Sequence, residues 1–250
     1  MIAMEASLDH LTHAGSLLAY RHRAGAGPSV VFLPGYMSEM NGGKASALDA
    51  WAAVRGQAYL RLDYSGCGAS GGDFADGSIS RWTADVAAVL DHLGIVHPVL
   101  VGSSMGGWIA LRLALARPVA ALVGIAAAPD FPDWGLPLTD ADHSLLNSRG
   151  YVERPSAYGS PAYRYTRKFL DDAAVNRMLT GRIAIDAPIR LLHGQADPDV
   201  PWQLSLDVAE RLRSADVQVI LAKDGDHRLS RPQDVMLLTA ALDALLEIVR

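Results

Sequence analysis

Ser104 stands in the pattern Gly102-Ser103-Ser104-Met105-Gly106, between the apolar run Val99–Val101 and the helix-forming stretch that begins at Met105. Serine is a weak nucleophile at neutral pH. It becomes effective when an imidazole takes its proton and a buried carboxylate fixes the imidazole tautomer. The spacing suits a sharp strand-to-helix turn, which pushes Oγ out of a sheet while Gly102 and Gly106 leave room for a crowded backbone. Ser103 is out of register for that turn and is read as supporting it. A chain with 23 glycines can produce such a pattern by chance, so the flanking elements carry the weight. The competing reading of Ser104 is a plain helix cap.

The acid and the base should follow the serine in that order. Asp197 comes just after Leu191 and Leu192, where a strand should end. Asp199 is its rival, two positions on, and could instead hold the turn or cap the helix entered near Pro201. Of eight histidines, His227 alone sits in a strand-end loop late in the chain. His193 ends an apolar strand and reads as structural, while Asp224 and Asp226 are either influences on His227 or turn residues. An oxyanion forming on the substrate needs backbone donors. The amide of Met105 at the helix start and that of Tyr36, after Leu33-Pro34-Gly35, are the candidates; an ordinary Pro-Gly turn is the other reading of the latter.

These residues need elements to hold them. "SVVFLPG", "QAYLRLDYSG", "VHPVLVGS", "VAALVGIAAAP", "PIRLLHG" and "DVQVILAKDG" read as strands. Between them "KASALDAWAAVRG", "SRWTADVAAVLDH", "MGGWIALRLALAR" and "PWQLSLDVAERLRSA" read as helices, with "RPQDVMLLTAALDALLEIV" as the last. Period-two polarity before Ser29 suggests an outer hairpin. Strand and helix alternating at these intervals predict an α/β fold with a mostly parallel sheet covered on both faces. Between Pro129 and Arg182 the rhythm breaks. The 129–182 segment is expected to be a small helical lid inserted in a single domain 1–250, with "SPAYRYTRKFLDDA" its clearest helix. Its basic residues Arg149, Arg154, Arg164, Arg167 and Lys168 are candidates for pairing with a substrate carboxylate, or else a solvated face. Trp108, Trp134, Tyr151, Tyr158, Tyr163 and Tyr165 divide between acyl pocket and core.

Half of the 250 residues are apolar, enough for a sizeable core. A net charge of -5 disfavours nucleic acid and anionic membranes as partners. The lone Cys67 supplies neither a disulfide nor a zinc cage and reads as a small buried filler. No stretch approaches the ~18 apolar residues of a spanning helix, so stable membrane insertion is not expected. The start of the chain lacks a secretory pattern.

The blocks "LPGYMSEMNGGKASAL", "DYSGCGASGG", "LVGSSMGGWIALRLALARP" and "IRLLHGQADPDVPWQ", with "GDH" later, resemble the α/β-hydrolase superfamily. More narrowly they resemble the mitochondrial abhydrolases of animals, described as palmitoyl-protein thioesterases and acyl-glucuronide esterases. The resemblance implies Ser104 as nucleophile, Asp197 rather than Asp199 as acid, His227 as base, and the Tyr36 and Met105 amides as oxyanion donors. It also marks "SEMNGGKA" as a family feature, where spacing alone makes Asn41 and Lys44 turn and helix-start residues. The expected activity is serine-dependent hydrolysis of carboxylic esters or thioesters through an acyl-enzyme, with neither metal nor organic cofactor. The substrate would be a small acyl ester or thioester, or an S-acylated protein. The chain lacks the arginine-rich leader of the mitochondrial proteins, and a cytoplasmic location is expected. Other readings are a cofactor-free haloperoxidase, a C–C bond hydrolase, and a non-catalytic small-molecule receptor on the same scaffold.

Overall fold

The computed structural model describes residues 6–156, 159 and 162–249. Tyr158, one of the candidate pocket aromatics, lies outside the described residues. In chain order the elements are β1 (Asp9–His13), β2 (Ser16–Arg23), β3 (Ala26–Leu33), α1 (Gly43–Arg55), β4 (Gln57–Leu62), α2 (Ile79–His92), β5 (Val99–Ser103), α3 (Met105–Ala116) and β6 (Ala121–Ile125). Then come α4 (Phe131–Gly135), α5 (Asp140–Arg149), β7 (Tyr151–Arg154), β8 (Tyr163–Thr166), α6 (Arg167–Val175), β9 (Ile189–Gly194), α7 (Gln203–Arg211), β10 (Val217–Ala222) and α8 (Pro232–Ile248).

Eight strands form one sheet in the order β1-β2-β4-β3-β5-β6-β9-β10. β1 and β2 form the outer antiparallel hairpin, and β2 meets β4 antiparallel. The remaining pairings, β4 through β10, are parallel. Side chains alternate across a strand, so neighbours in sequence serve opposite faces. Val31 and Leu33 join Leu60, Leu62 and Leu100 under α2 and α3, against Trp82, Val86, Val89 and Ile109. Val30, Phe32, Val99, Val101 and Val123 face the other way, under α1 and α8, against Leu48, Ala52, Leu238, Leu242 and Leu245. Both faces are thus covered, which explains why the central strands read as continuous apolar runs.

The helix ends follow local chemistry. Gly56 takes the left-handed conformation (φ 64°) that closes α1, and Ser78 caps α2 by accepting from the Arg81 amide at 3.2 Å. The expected helix over 160–173 is corrected: Tyr163–Thr166 is a strand paired antiparallel with Tyr151–Arg154, and α6 starts only at Arg167. Tyr163 and Tyr165 alternate with Arg164, a strand period, and Thr166 caps the helix by accepting from the Phe169 amide at 3.0 Å. The segment between β6 and β9 is therefore helical and stranded, and not helical alone. Its two ends meet at Asp130, whose buried carboxylate accepts from the amides of Met178 and Leu179 at 2.8 Å each. Among the described residues no helix is long and apolar enough to cross a membrane.

Candidate active site

The carboxyl ends of the parallel strands converge on one cavity, as expected for ligand sites in open α/β sheets. Ser104 follows β5, Tyr36 follows β3, Asp197 follows β9 and His227 follows β10. The cavity has a volume of about 700 Å³ and is bordered by Tyr36, Ser104, Met105 and His227, with Phe131, Trp134, Tyr163 and Tyr165 from the segment after β6.

Ser104 occupies φ 54°, ψ -120°, a conformation that side-chain-bearing residues seldom adopt and that costs about 1–3 kcal/mol. The surroundings impose it. Its amide donates to Ile125 O at 2.8 Å, and its carbonyl accepts from the amides of Gly107 at 2.9 Å and Ala128 at 3.1 Å. Gly102 and Gly106 are sterically required, as the spacing predicts: a Cβ at Gly102 would lie 2.3 Å from Gly106 O, and one at Gly106 would lie 2.1 Å from Leu33 O. Gly107 has the same constraint, 2.5 Å from the Ala127 Cβ, which the five-residue pattern does not include. Ser103 ends β5 beside this turn and is buried.

From Ser104 a hydrogen-bonded chain runs inward. His227 Nε2 lies 3.1 Å from Ser104 Oγ, and Nδ1 lies 2.8 Å from Asp197 Oδ2. With Nδ1 protonated toward the carboxylate, Nε2 is left to accept the serine proton. The Asp197 side chain is fully buried. Its Oδ1 accepts from the amides of Asp199 at 2.8 Å and Val200 at 2.9 Å. Burial alone would raise this carboxyl. Hydrogen bonds from His193 and His227, the charge of His227 and the Val200 amide outweigh it and hold the group well below the usual carboxylate range. Asp199 is exposed and gives its amide to this arrangement. Asp226 is a turn residue: its Oδ1 accepts from the Arg228 and Leu229 amides at 3.1 and 3.0 Å, shaping the loop that presents His227. Asp224 pairs with Arg231 at 2.8 Å.

The loop after β3 is fixed from below. Tyr64 Oη donates to Pro34 O at 3.0 Å, Asp63 Oδ1 accepts from the Met40 amide at 2.7 Å, and Arg61 donates to Met40 O at 2.9 Å. Among the described residues neither the Tyr36 nor the Met105 amide donates to another protein group, and both residues border the cavity. The Tyr36 ring packs against Phe131, Tyr163, Tyr165 and Phe169, and its hydroxyl donates to Arg164 O. Burial, and then the neighbouring Tyr165, push that phenol well up.

The basic residues of the segment separate. Arg154 borders the cavity, where its guanidinium engages both oxygens of Asp142 at 3.0 and 2.8 Å. The other four do not line it. Arg149 and Arg164 stack on the Tyr151 ring and pair with Glu153. Arg167 donates to Leu146 O and Asn147 Oδ1, and Lys168 pairs with Asp76. Of the aromatics, Trp134, Tyr163 and Tyr165 line the cavity, whereas Trp108 is core and donates to Asn176 O. Cys67 is buried, and its burial pushes the thiol up to about 12.

Two features escape the sequence reading. His193, fully buried in β9, places Nε2 3.2 Å from Asp197 Oδ2 and 3.1 Å from Val200 O, with Nδ1 2.7 Å from Ser205 Oγ. The Nε2–H tautomer satisfies all three contacts, with the Ser205 hydroxyl donating to Nδ1. The only sequence signal was a histidine four residues before the acid. The second feature is the meeting of the acid and base loops: a Cβ at Gly194 would lie 2.1 Å from Gly225 O, so the two backbones pack in contact.

An elbow serine, a histidine and a buried acid on a doubly covered parallel sheet define a serine-hydrolase-type α/β-hydrolase. The chain belongs to the alpha/beta hydrolase family, which its residues 30–242 match. It is 41% identical over 240 residues to the mouse protein named palmitoyl-protein thioesterase ABHD10, mitochondrial, covering 92% of this chain and 79% of that one. The solved structure of mouse alpha/beta hydrolase domain-containing protein 10 superimposes with a TM-score of 0.89 at 39% identity, covering 98% of this chain and all (100%) of that one. A crystal structure from Agrobacterium vitis S4 gives 0.91 at 42% identity, covering 97% and 98%.

Proposed function

We propose that the protein hydrolyses carboxylic esters or thioesters through an acyl-enzyme on Ser104, with the 129–182 segment as a lid over the acyl site. The observation that carries this reading is the unbroken chain Ser104 Oγ–His227–Asp197 opening onto the cavity. Oγ attacks the carbonyl carbon as His227 Nε2 accepts its proton, and the new C–O bond turns the carbonyl into an oxyanion. The Tyr36 and Met105 amides, otherwise unused, receive that charge. Collapse breaks the bond to the alcohol or thiol, which leaves with the proton from Nε2. Water then repeats the sequence on the acyl-enzyme and releases the acid. Asp197 stabilises the imidazolium in each half. Trp134, Tyr163 and Tyr165 give the acyl chain an apolar wall.

Likeness to a palmitoyl-protein thioesterase over nearly the whole chain supports S-acyl substrates, S-acylated protein included. A matched panel tests this: an S-acyl peptide, an acyl-CoA, a p-nitrophenyl ester and an acyl glucuronide of one fatty acid. Turnover of the peptide with kcat/KM at or above that of the oxygen esters is the expected result. Failure on every member by folded protein would overturn the reading.

His193 is a positioning residue in this scheme, since it fixes the carboxylate that fixes His227. Leucine at 193 is expected to lower kcat about 10-fold to 100-fold, the scale of a small misplacement of the reacting groups, with KM little changed. A shift of the pH–rate profile, absent from a purely packing defect, would accompany it. Unchanged kcat and profile in a folded variant would remove this role.

A further inference from the structure

Lys44 is a charged group that the scheme above leaves unused. It lies in the first turn of α1, borders the same cavity as Ser104 and His227, and is only partly exposed. Among the described residues its Nζ is held by two neutral oxygens, the Arg228 carbonyl and, at 3.4 Å, Ser230 Oγ, and no carboxylate pairs with it. The contrast with Arg154 is direct, since that guanidinium already has both oxygens of Asp142. A half-buried ammonium without a counter-ion is costly unless a ligand brings one.

Position tells which part of a substrate would bring it. Both oxygens holding Nζ belong to the loop that follows His227. In acyl transfer the imidazole hands its proton to the departing alcohol or thiol, so that group lies on the histidine side of the serine. The apolar rings of the lid border the cavity elsewhere. We infer that Lys44 forms an anion subsite for the leaving group, selecting esters or thioesters whose alcohol or thiol carries a carboxylate or phosphate. This rests on the acyl-enzyme reading and adds to it the specificity of one side of the cleft.

Burial first, and then the charges around Nζ, set the pH range in which the subsite acts. Burial pulls the ammonium down to about 8; the Arg228 guanidinium adds to this, and Asp226 and Asp234 partly offset it. Glu39 and His227 also border the cavity. Below that value Lys44 is a cation and attracts the anion; as pH rises through it the proton leaves and the attraction goes with it.

The test compares two hexanoate esters, 3-carboxyphenyl and 3-carbamoylphenyl, which differ in the charge of the leaving group. The readout is the ratio of their kcat/KM values. Lys44→Met is expected to lower that ratio about tenfold at pH 7, the scale of one charge-assisted hydrogen bond. In the wild type the ratio should fall as pH rises past about 8, whereas in Lys44→Arg it should hold, because a guanidinium stays charged. A ratio unchanged by Lys44→Met overturns the proposal, whatever happens to the separate rates, and leaves Lys44 a tether for the His227 loop. Absence of Ser104-dependent turnover of either ester would instead fail the hydrolase reading.

Discussion

Asparagine at position 197 is expected to lower kcat about 10⁴-fold, while asparagine at 199 should cost no more than a few-fold. The asymmetry follows from what each side chain does. Asp197 Oδ2 holds His227 Nδ1 at 2.8 Å and Oδ1 receives two amides. An amide in its place can present an N–H toward the imidazole, which favours the wrong tautomer and leaves Nε2 protonated when it should accept. Asp199 contributes a backbone amide that any residue but proline supplies. Steady-state kinetics on any hydrolysed ester, with circular dichroism to verify folding, decide the matter. Loss at 199 with activity retained at 197 would reverse the assignment.

Ser104→Ala should have the larger effect, a fall in kcat on the order of 10⁶-fold, since among the described residues no other hydroxyl is hydrogen-bonded to His227. The variant should also fail to react with a fluorophosphonate probe that labels the wild type. Alanine keeps a Cβ in the same strained conformation, so its melting temperature should stay within a few degrees of the wild type. That separates lost chemistry from lost structure. Labelling of Ser104→Ala, or residual turnover within 100-fold of the wild type, would point to a different nucleophile.

The sheet was largely legible because its strands announce themselves twice, as apolar runs and by the glycine-rich turns that end them. The grouping of Ser104, His227 and Asp197 was legible for a related reason: each follows a strand, and the glycines flanking Ser104 are demanded by backbone contacts as short as 2.1 Å for a hypothetical Cβ. What stayed hidden depends on contacts across the chain. Tyr163–Thr166 reads as helix because its short Tyr-Arg-Tyr alternation leads straight into one, and pairing with Tyr151–Arg154 settles it as a strand. The basic lid residues look available in sequence, yet Arg154 is claimed by Asp142 and Lys168 by Asp76. His193 reads as an ordinary core histidine because nothing local reveals that the chain turns back to bring Asp197 onto its Nε2.

Tyr36 joins two parts of the molecule that are usually considered apart. Its amide is the one proposed for the oxyanion, while its ring stacks at 5.1 Å on Tyr165 and its hydroxyl donates to the Arg164 carbonyl. The β7–β8 hairpin and the loop after β3 are thus tied together through one side chain. If the Tyr36 amide serves the oxyanion as proposed, lifting the β7–β8 hairpin would pull that donor out of alignment, so a long acyl chain should pass this corner without displacing it.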